Sequence, residues 1–224
     1  MSRNARLQAR PSPVAASGRT GQQALDVGGQ RDSYLYVPRQ YQFARPAPMV
    51  LLLHGAGGHA HHGLGLLQHL ADDLGMILVA PASAAHTWDV IASSAFGPDV
   101  AVLDRALAHV FSQYAVDASR LAIGGFSDGA SYALSVGLAN GDLFTHVIAF
   151  SPGFVASVST EGAPRIFISH GSADNVLPVE PCSRRIVPLL SKAGYEVEYE
   201  EFAGGHEIPA EIAERAAAWF LRET

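Results

Sequence analysis

Serine, aspartate and histidine side chains follow three predicted strands of this chain in an order that suits nucleophilic acyl transfer. Ser127 lies in the pentapeptide 125–129, Gly-Phe-Ser-Asp-Gly, directly after the apolar run 120–124. Glycines on both sides of a serine allow a sharp turn between a strand and a helix, because a Cβ there would crowd the neighbouring elements. Such a turn would expose the Ser127 hydroxyl as a nucleophile.

The candidate acid and base come later in the chain. Asp174 follows the apolar run 165–169, and His206 follows the last alternating segment. Both positions lie just past a predicted strand, at the sheet edge where sites of parallel sheets assemble. His206 would take the proton from Ser127, and Asp174 would hold the imidazole tautomer. Asp142 is a second acid in the same interval, but it follows Asn-Gly, a typical helix end, so Asp174 is favoured.

A glycine-rich turn upstream could bind a developing oxyanion. The apolar run 48–53 leads into residues 54–58, His-Gly-Ala-Gly-Gly. Two backbone amides must already point at the oxyanion position, and we predict those of Ala56 and Asp128, with Gly57 as the substitute for Ala56. The Asp128 carboxylate is expected at the start of a helix, where it interacts favourably with the helix dipole.

The elements that position these residues alternate between strand and helix. Leucines at positions 64, 67, 70 and 74 lie on one helical face, and a second amphipathic helix follows Pro98. The predicted strands are 33–37, 48–54, 76–80, 120–124, 146–150, 165–169 and 197–202. Helical segments between strands imply parallel pairing through right-handed crossovers. We therefore predict an α/β fold with a doubly wound, mostly parallel sheet, helices on both faces and no large cap domain.

At these residues the sequence resembles the α/β-hydrolase superfamily, and within it the small serine esterases of the phospholipase/carboxylesterase and acyl-protein thioesterase group. The resemblance extends over residues 32–221 and is carried by the segments 51–55, 124–127, 170–178 and 204–206. It implies a cofactor-independent serine carboxylesterase that cleaves small-molecule esters with small or medium acyl chains through an acyl-enzyme intermediate.

Other activities stay open at this point. Thioester hydrolysis is one alternative, although the chain has Asp-Gly-Ala at 128–130 where close thioesterase relatives usually carry Gln-Gly-Gly. The turn 54–58 also resembles that of polyhydroxybutyrate-depolymerase-like esterases, which keeps a hydroxyacid ester open as an alternative. A depolymerase-like or aryl-ester hydrolase is the second enzyme hypothesis. A non-catalytic ligand-binding protein on the same fold is a hypothesis of another class. The presence of Ser127, Asp174 and His206 together argues against it.

Further side chains are candidates for the substrate pocket or for metal binding. We predict three pocket residues: Trp88, Phe154 and Val176. The histidines at 59, 61 and 62 have a spacing that can converge on zinc, but no cysteine or paired carboxylate completes such a site. They are expected in a solvated loop or at the rim of the pocket, and we predict no metal and no cofactor.

Composition limits the classes of protein that are compatible with the chain. With 224 residues, 48% hydrophobic and 16% charged, it can bury a full core without metals or disulfides. The net charge of −6 argues against nucleic acid and anionic membranes as partners. No apolar stretch reaches the length of about 20 residues that spans a bilayer. The single cysteine, Cys182, requires no oxidising compartment. We predict a cytoplasmic monomer or homodimer.

The first residues differ in composition from the rest. Residues 1–24 contain four arginines together with proline, alanine and serine, and no acidic side chain. Proline and charged residues interrupt any apolar core of a secretory signal. We therefore predict an N-terminal arm over 1–24, disordered or lying on the surface, and a single hydrolase domain over 25–224.

Overall fold

A computed structural model describes residues 5–12, 18–29 and 31–222 of the chain. In this part, eight strands form one sheet in the order β1-β2-β4-β3-β5-β6-β7-β8. The strands are β1 (Gly21–Leu25), β2 (Ser33–Val37), β3 (Ala47–Leu53), β4 (Ile77–Ala80), β5 (Val116–Phe126), β6 (His146–Phe150), β7 (Arg165–Gly171) and β8 (Val197–Phe202). The helices are α1 (Ala60–Gly65), α2 (Gln68–Leu74), α3 (Asp89–Ser93), α4 (Pro98–Gln113), α5 (Asp128–Ala139), α6 (Ser183–Lys192) and α7 (Ala210–Leu221).

The sheet is mostly parallel. Strand β2 runs antiparallel to both β1 and β4, whereas every pairing from β4 to β8 is parallel. Successive side chains of β3 point to opposite faces, as the period of a strand requires. Met49 and Leu51 join the core beneath α4, α5 and α6, while Val50 and Leu52 join the core beneath α1, α2 and α7. Burial on both faces explains why β3 is apolar throughout.

The predicted fold class is confirmed, and the differences are local. Strand β5 extends to Val116 and Phe126, beyond the predicted 120–124. The leucine stripe 64–74 forms two short helices instead of one, with a break at Leu66 and Leu67. Gly63, within α1, packs so closely on β3 that an added Cβ would lie 2.8 Å from a backbone oxygen. Leu74, at the end of the stripe, is 36% exposed.

Part of the N-terminal arm packs on the domain. Ala5 and Leu7 are buried, and the Leu7 amide donates to Asn140 Oδ1 at 2.8 Å. The Arg6 guanidinium forms a bidentate pair with Asp142 at 2.7 and 2.9 Å. Strand β1 then begins at Gly21, four residues before the predicted domain start at residue 25. The sheet therefore includes the end of the segment that composition assigns to the arm.

No helix in the described ranges, 5–12, 18–29 and 31–222, combines the length and apolar character needed to cross a membrane.

Candidate active site

Ser127, His206 and Asp174 meet at the carboxyl edge of the parallel strands. His206 Nε2 lies 2.9 Å from Ser127 Oγ, and His206 Nδ1 lies 2.6 Å from Asp174 Oδ2. Asp174 Oδ2 accepts a hydrogen bond from the protonated Nδ1 of His206, so Nε2 is free to accept the hydrogen bond from the Ser127 hydroxyl. The serine follows β5, the aspartate follows β7 and the histidine follows β8. This relay has the geometry of a nucleophile, a general base and an orienting acid.

Ser127 lies at the tip of a tight turn between β5 and α5. Its backbone has φ 58° and ψ −121°, a conformation that costs a residue with a side chain about 1–3 kcal/mol. A Cβ at Gly125 would lie 2.5 Å from the carbonyl carbon of Gly129, and a Cβ at Gly129 would lie 2.3 Å from the Leu53 oxygen. The close approach of α5 to β3 therefore requires both glycines.

This packing predicts a severe effect of the substitution Gly129→Ala. The new methyl group would overlap backbone atoms that cannot move without separating α5 from β3, so we expect a loss of more than about 4 kcal/mol in the free energy of unfolding. The matched control is Gly65→Ala, where a Cβ meets no atom within 4 Å and α1 gains helix propensity. Denaturant unfolding compares the two variants. Equal stability of Gly129→Ala and wild type would contradict the described turn.

Asp174 is held by three hydrogen bonds. The amides of Val176 and Leu177 donate to Oδ1 at 2.9 and 2.8 Å, and His206 occupies Oδ2. Burial alone would raise the pKa of Asp174, but these hydrogen bonds outweigh it and lower the pKa below its ordinary value. His170 Nε2 lies 3.3 Å from Oδ2 as well. The carboxylate is therefore ionised and fixed in orientation at neutral pH.

His170 supports the loop that carries Asp174. Its ring is fully buried, with Nε2 donating to the Leu177 carbonyl at 2.7 Å and Nδ1 2.7 Å from Ser183 Oγ. The ring thus joins the start of α6 to the turn after β7. Asp142, the rival acid of the sequence, is instead paired with Arg6 and Arg10. The hydrogen bond from Arg6 lowers the pKa of Asp142 far below its usual range.

The turn after β3 faces the nucleophile. A Cβ at Gly55 would lie 3.4 Å from Ser127 Cβ. Neither the Ala56 nor the Asp128 amide donates a hydrogen bond to another described residue, so both are open to a ligand. The substitute role predicted for Gly57 is wrong in this geometry, because its amide donates to the His86 carbonyl at 2.8 Å.

The side chain of Asp128 is turned away from the relay. Its Oδ2 accepts a hydrogen bond of 2.5 Å from Thr87 Oγ1. The carboxylate therefore ties the start of α5 to the loop after β4, as expected for an acid at a helix N-terminus.

His54 and Trp88 support the turn from beneath. His54 Nδ1 donates to the Gly55 carbonyl at 2.8 Å, and Nε2 accepts the Ser83 amide at 3.1 Å. Trp88 Nε1 donates to the His54 carbonyl at 2.8 Å, and the indole stacks on Tyr132 at 5.1 Å. Trp88 has no exposed surface. The prediction that Trp88 lines the pocket is therefore wrong in this structure, because its ring fills the core behind the turn.

Arg31 is a supporting residue that the sequence analysis missed. Its guanidinium donates to the carbonyls of Gly58 and Ala85, the latter at 2.8 Å, and to Ser83 Oγ at 3.2 Å. It thereby joins the turn after β3 to the loop after β4. The residues around Arg31 in the sequence do not indicate this role, because its partners lie 27 to 54 residues away.

Two buried histidines predict a loss of stability in acid. Burial lowers the pKa of His54 and of His146 from 6.5 to about 4. The unfolded chain binds these protons below pH 6.5, whereas the folded protein resists them until about pH 4. Their stabilising contribution is therefore complete above pH 6.5 and falls as the pH drops toward 4, by at most about 3 kcal/mol for each ring.

Denaturant unfolding across this pH range measures the effect. His146→Phe supplies the control, because His146 Nε2 is buried without a partner among the described residues and a phenyl ring avoids its titration. We expect the free energy of unfolding of this variant to depend less steeply on pH than that of wild type. An identical slope in the variant and wild type would contradict the assignment for His146.

Of two clefts in the domain, one contains a relay residue and the other does not. The first, of about 620 Å³, contains His206 and Phe126 on the face that α1 and α7 cover, and we call it the histidine cleft. The second, of about 440 Å³, lies between α6 and the loop after β6, and we call it the α6 cleft. Phe154 lines the α6 cleft and is 37% exposed, whereas Val176 is 61% exposed on the loop beside Asp174 and lines neither cleft.

Two of the three clustered histidines lie at the rim of the histidine cleft. The rings of His59 and His62 stack with centroids 3.9 Å apart, and His61 stacks on Tyr34 at 4.0 Å. His61 and His62 line the cleft together with His206. Within residues 5–12, 18–29 and 31–222, no group of three or more histidine, cysteine, aspartate or glutamate side chains is arranged to hold a metal ion.

The solved structures that this chain resembles include esterases and a related hydrolase. Esterase PE8 is 26% identical, with 83% of this chain and 97% of that chain aligned and a TM-score of 0.65. The carboxylesterase from Bacillus cereus is 19% identical, with coverage of 84% and 93% and a TM-score of 0.63. S-formylglutathione hydrolase from Staphylococcus aureus is 15% identical, with coverage of 93% and 100% and a TM-score of 0.71. The latter two show likeness of fold.

A sequence profile places the chain in a family. Comparison with curated proteins gives no match. The profile described as phospholipase/carboxylesterase matches residues 101–222, more than half of the 224 residues, and includes Ser127, Asp174 and His206. The chain therefore belongs to the phospholipase/carboxylesterase family of α/β-hydrolases, and it is a serine hydrolase of the carboxylesterase type.

Proposed function

We propose that Ser127, His206 and Asp174 are the catalytic triad of this carboxylesterase and that its substrates are small-molecule esters with small or medium acyl chains. The observation that carries the proposal is the continuous relay of 2.9 and 2.6 Å from Ser127 Oγ through His206 to Asp174. The strained backbone of Ser127 supports it, because strain of this kind collects at functional sites.

The roles follow from the geometry. As Ser127 Oγ attacks the acyl carbon, its proton passes to His206 Nε2, and the tetrahedral oxyanion accepts hydrogen bonds from the amides of Ala56 and Asp128. His206 then gives this proton to the leaving oxygen, and the ester bond breaks to leave an acyl-enzyme. Water, activated by the same imidazole, attacks the acyl-enzyme and releases the acid. Asp174 stabilises the imidazolium both when the acyl-enzyme forms and when it is hydrolysed.

The substrate class is supported by the two open clefts. Neither cleft is covered by a separate domain, which suits small or medium chains. Esterase PE8 and the Bacillus cereus carboxylesterase, both similar in fold, support an oxygen ester as the substrate. The thioesterase alternative is compatible with the same triad, because the acyl-enzyme is identical for both leaving groups.

A series of p-nitrophenyl esters from acetate to dodecanoate tests the proposal. We expect an initial burst of about one nitrophenolate per protein, followed by turnover whose kcat/KM declines at the longest chains. Turnover of thioesters with the same acyl groups shows whether the enzyme prefers an oxygen or a sulfur leaving group. Absence of both burst and turnover across the series would contradict the proposal and favour a ligand-binding role.

We also propose a cytoplasmic protein, monomeric or homodimeric, without a nucleic-acid or integral membrane partner. The net charge of −6 supports the absence of nucleic acid, because a negatively charged protein repels a phosphate backbone. The single cysteine, Cys182, is buried and supports a reducing compartment. Light scattering of the purified protein measures its oligomeric state.

A further inference from the structure

The α6 cleft has an apolar lining with one basic side chain. Its apolar surface comes from four side chains: Phe154, Ile186, Leu189 and Leu190. Leu189 is 59% exposed. Arg185 is the charged residue among the described residues that line the cleft. An apolar cleft with one fixed charge suits a ligand that is itself apolar along its length and charged at one point.

Arg185 and its neighbour Arg184 have different surroundings. Arg184 forms ion pairs with Glu180 and Glu201 on the surface. Within the described ranges, no carboxylate forms an ion pair with Arg185. A protein with a net charge of −6 offers many acidic partners, yet this guanidinium faces an apolar cleft and is available for an anion.

Hydrogen bonds connect the α6 cleft to the turn that carries the nucleophile. The Ser127 carbonyl accepts a hydrogen bond of 3.2 Å from Ser131 Oγ, and Ser131 Oγ accepts the Gly153 amide at 2.9 Å. Gly153 lines the cleft, and a Cβ at Gly153 would lie 3.3 Å from the side chain of Leu177, whose amide donates to Asp174. Two hydrogen bonds therefore join the nucleophile turn to one end of the cleft.

The two clefts also differ in their relation to His206. The histidine cleft contains His206, which must protonate the leaving oxygen, so the leaving group belongs on that side. The α6 cleft lies on the opposite face of the sheet, because Ile186 and Leu190 join the core beneath α4 and α5. This position suits the acyl chain.

We propose that the α6 cleft binds the acyl chain and that Arg185 selects acyl chains that end in a carboxylate. The inference rests on the proposed function, since it assigns a substrate class to the same Ser127. The apolar walls bind the methylene groups, and the guanidinium pairs with the terminal carboxylate by charge-assisted hydrogen bonds. Half-esters of aliphatic dicarboxylic acids are the substrate class that this arrangement favours.

Two matched series of p-nitrophenyl esters test the inference: monoesters of hexanedioic, octanedioic and decanedioic acid, and methyl-terminated esters of the same chain lengths. These lengths disfavour attack of the free carboxylate on its own ester. In wild type, we expect kcat/KM for at least one dicarboxylic monoester to exceed that of its methyl-terminated partner. In Arg185→Gln, that value should fall about tenfold through KM, with the methyl-terminated series unchanged within about twofold.

The control variant is Arg184→Gln, which removes the same charge one residue away. It should leave kcat/KM unchanged for both ester series. Arg185→Glu should invert the preference toward an acyl chain that ends in an amine. Equal effects of Arg185→Gln on both series, or no effect on either, would overturn the selection by Arg185 while leaving the esterase intact. If the wild-type protein hydrolyses neither series of esters, the proposed function itself is rejected.

Discussion

Ser127→Ala is expected to lower kcat for p-nitrophenyl esters by at least about a thousandfold, with losses approaching a millionfold in comparable triads. The hydroxyl at 2.9 Å from His206 Nε2 is the nucleophile of the proposed mechanism, and alanine offers no replacement. Steady-state kinetics measures kcat, and the burst of nitrophenolate should vanish. The melting temperature should stay close to that of wild type, because the bond to His206 is the one hydrogen bond that the hydroxyl makes with the described residues.

Ser131→Ala is the matched control for this prediction. Ser131 lies one helical turn beyond Ser127 and hydrogen-bonds to the Ser127 carbonyl and the Gly153 amide, but not to His206. We expect this variant to retain most of the activity. Equal activity of Ser127→Ala and wild type would remove Ser127 as the nucleophile.

Asp174→Asn should lower kcat about ten-thousandfold near neutral pH. The amide preserves the shape of the side chain but carries no negative charge, so the imidazolium loses its partner and the tautomer of His206 is no longer fixed. The oxygen that accepts the amides of Val176 and Leu177 persists in asparagine, and the variant should fold. Circular dichroism and steady-state kinetics on the same sample separate loss of catalysis from loss of structure.

Asp142→Asn distinguishes the two acids that lie between the serine and the histidine. Asp142 pairs with Arg6 and Arg10 on the surface, and surface ion pairs contribute about 0–1 kcal/mol each. This variant should keep wild-type kcat with at most a small loss of stability. A large loss of kcat in Asp142→Asn, with Asp174→Asn active, would exchange the roles of the two acids.

The strands and the relay could be predicted because their signals are local. The apolar runs that become β2, β6 and β8 have the predicted bounds, and each relay residue follows its strand by a few positions. The turn at Ser127 is encoded by Gly125 and Gly129, which are next to it in the chain. Chain order and strand alternation together place these residues at one edge of the sheet.

The surroundings of the site depend on contacts between distant segments, which the sequence does not express. An indole after a strand is compatible with a pocket wall or with the core, and only the packing of Trp88 on Tyr132 decides between them. The amide of Gly57 is taken by His86 because the loop after β4 passes beside the turn. Arg31, in the segment before β2, also reaches that turn through contacts between segments that are distant in the chain.

Covalent labelling with phenylmethylsulfonyl fluoride tests the central claim most directly, because the reagent reacts with an activated serine and leaves a stable adduct. Intact mass and peptide mapping should show one adduct per protein, on Ser127, with activity lost in proportion and labelling absent in His206→Ala. The buried Ser151, which also has positive φ, and Ser131 provide internal comparisons in the same digest. An adduct on either of these serines, or full inhibition with Ser127 unmodified, would contradict the proposed mechanism.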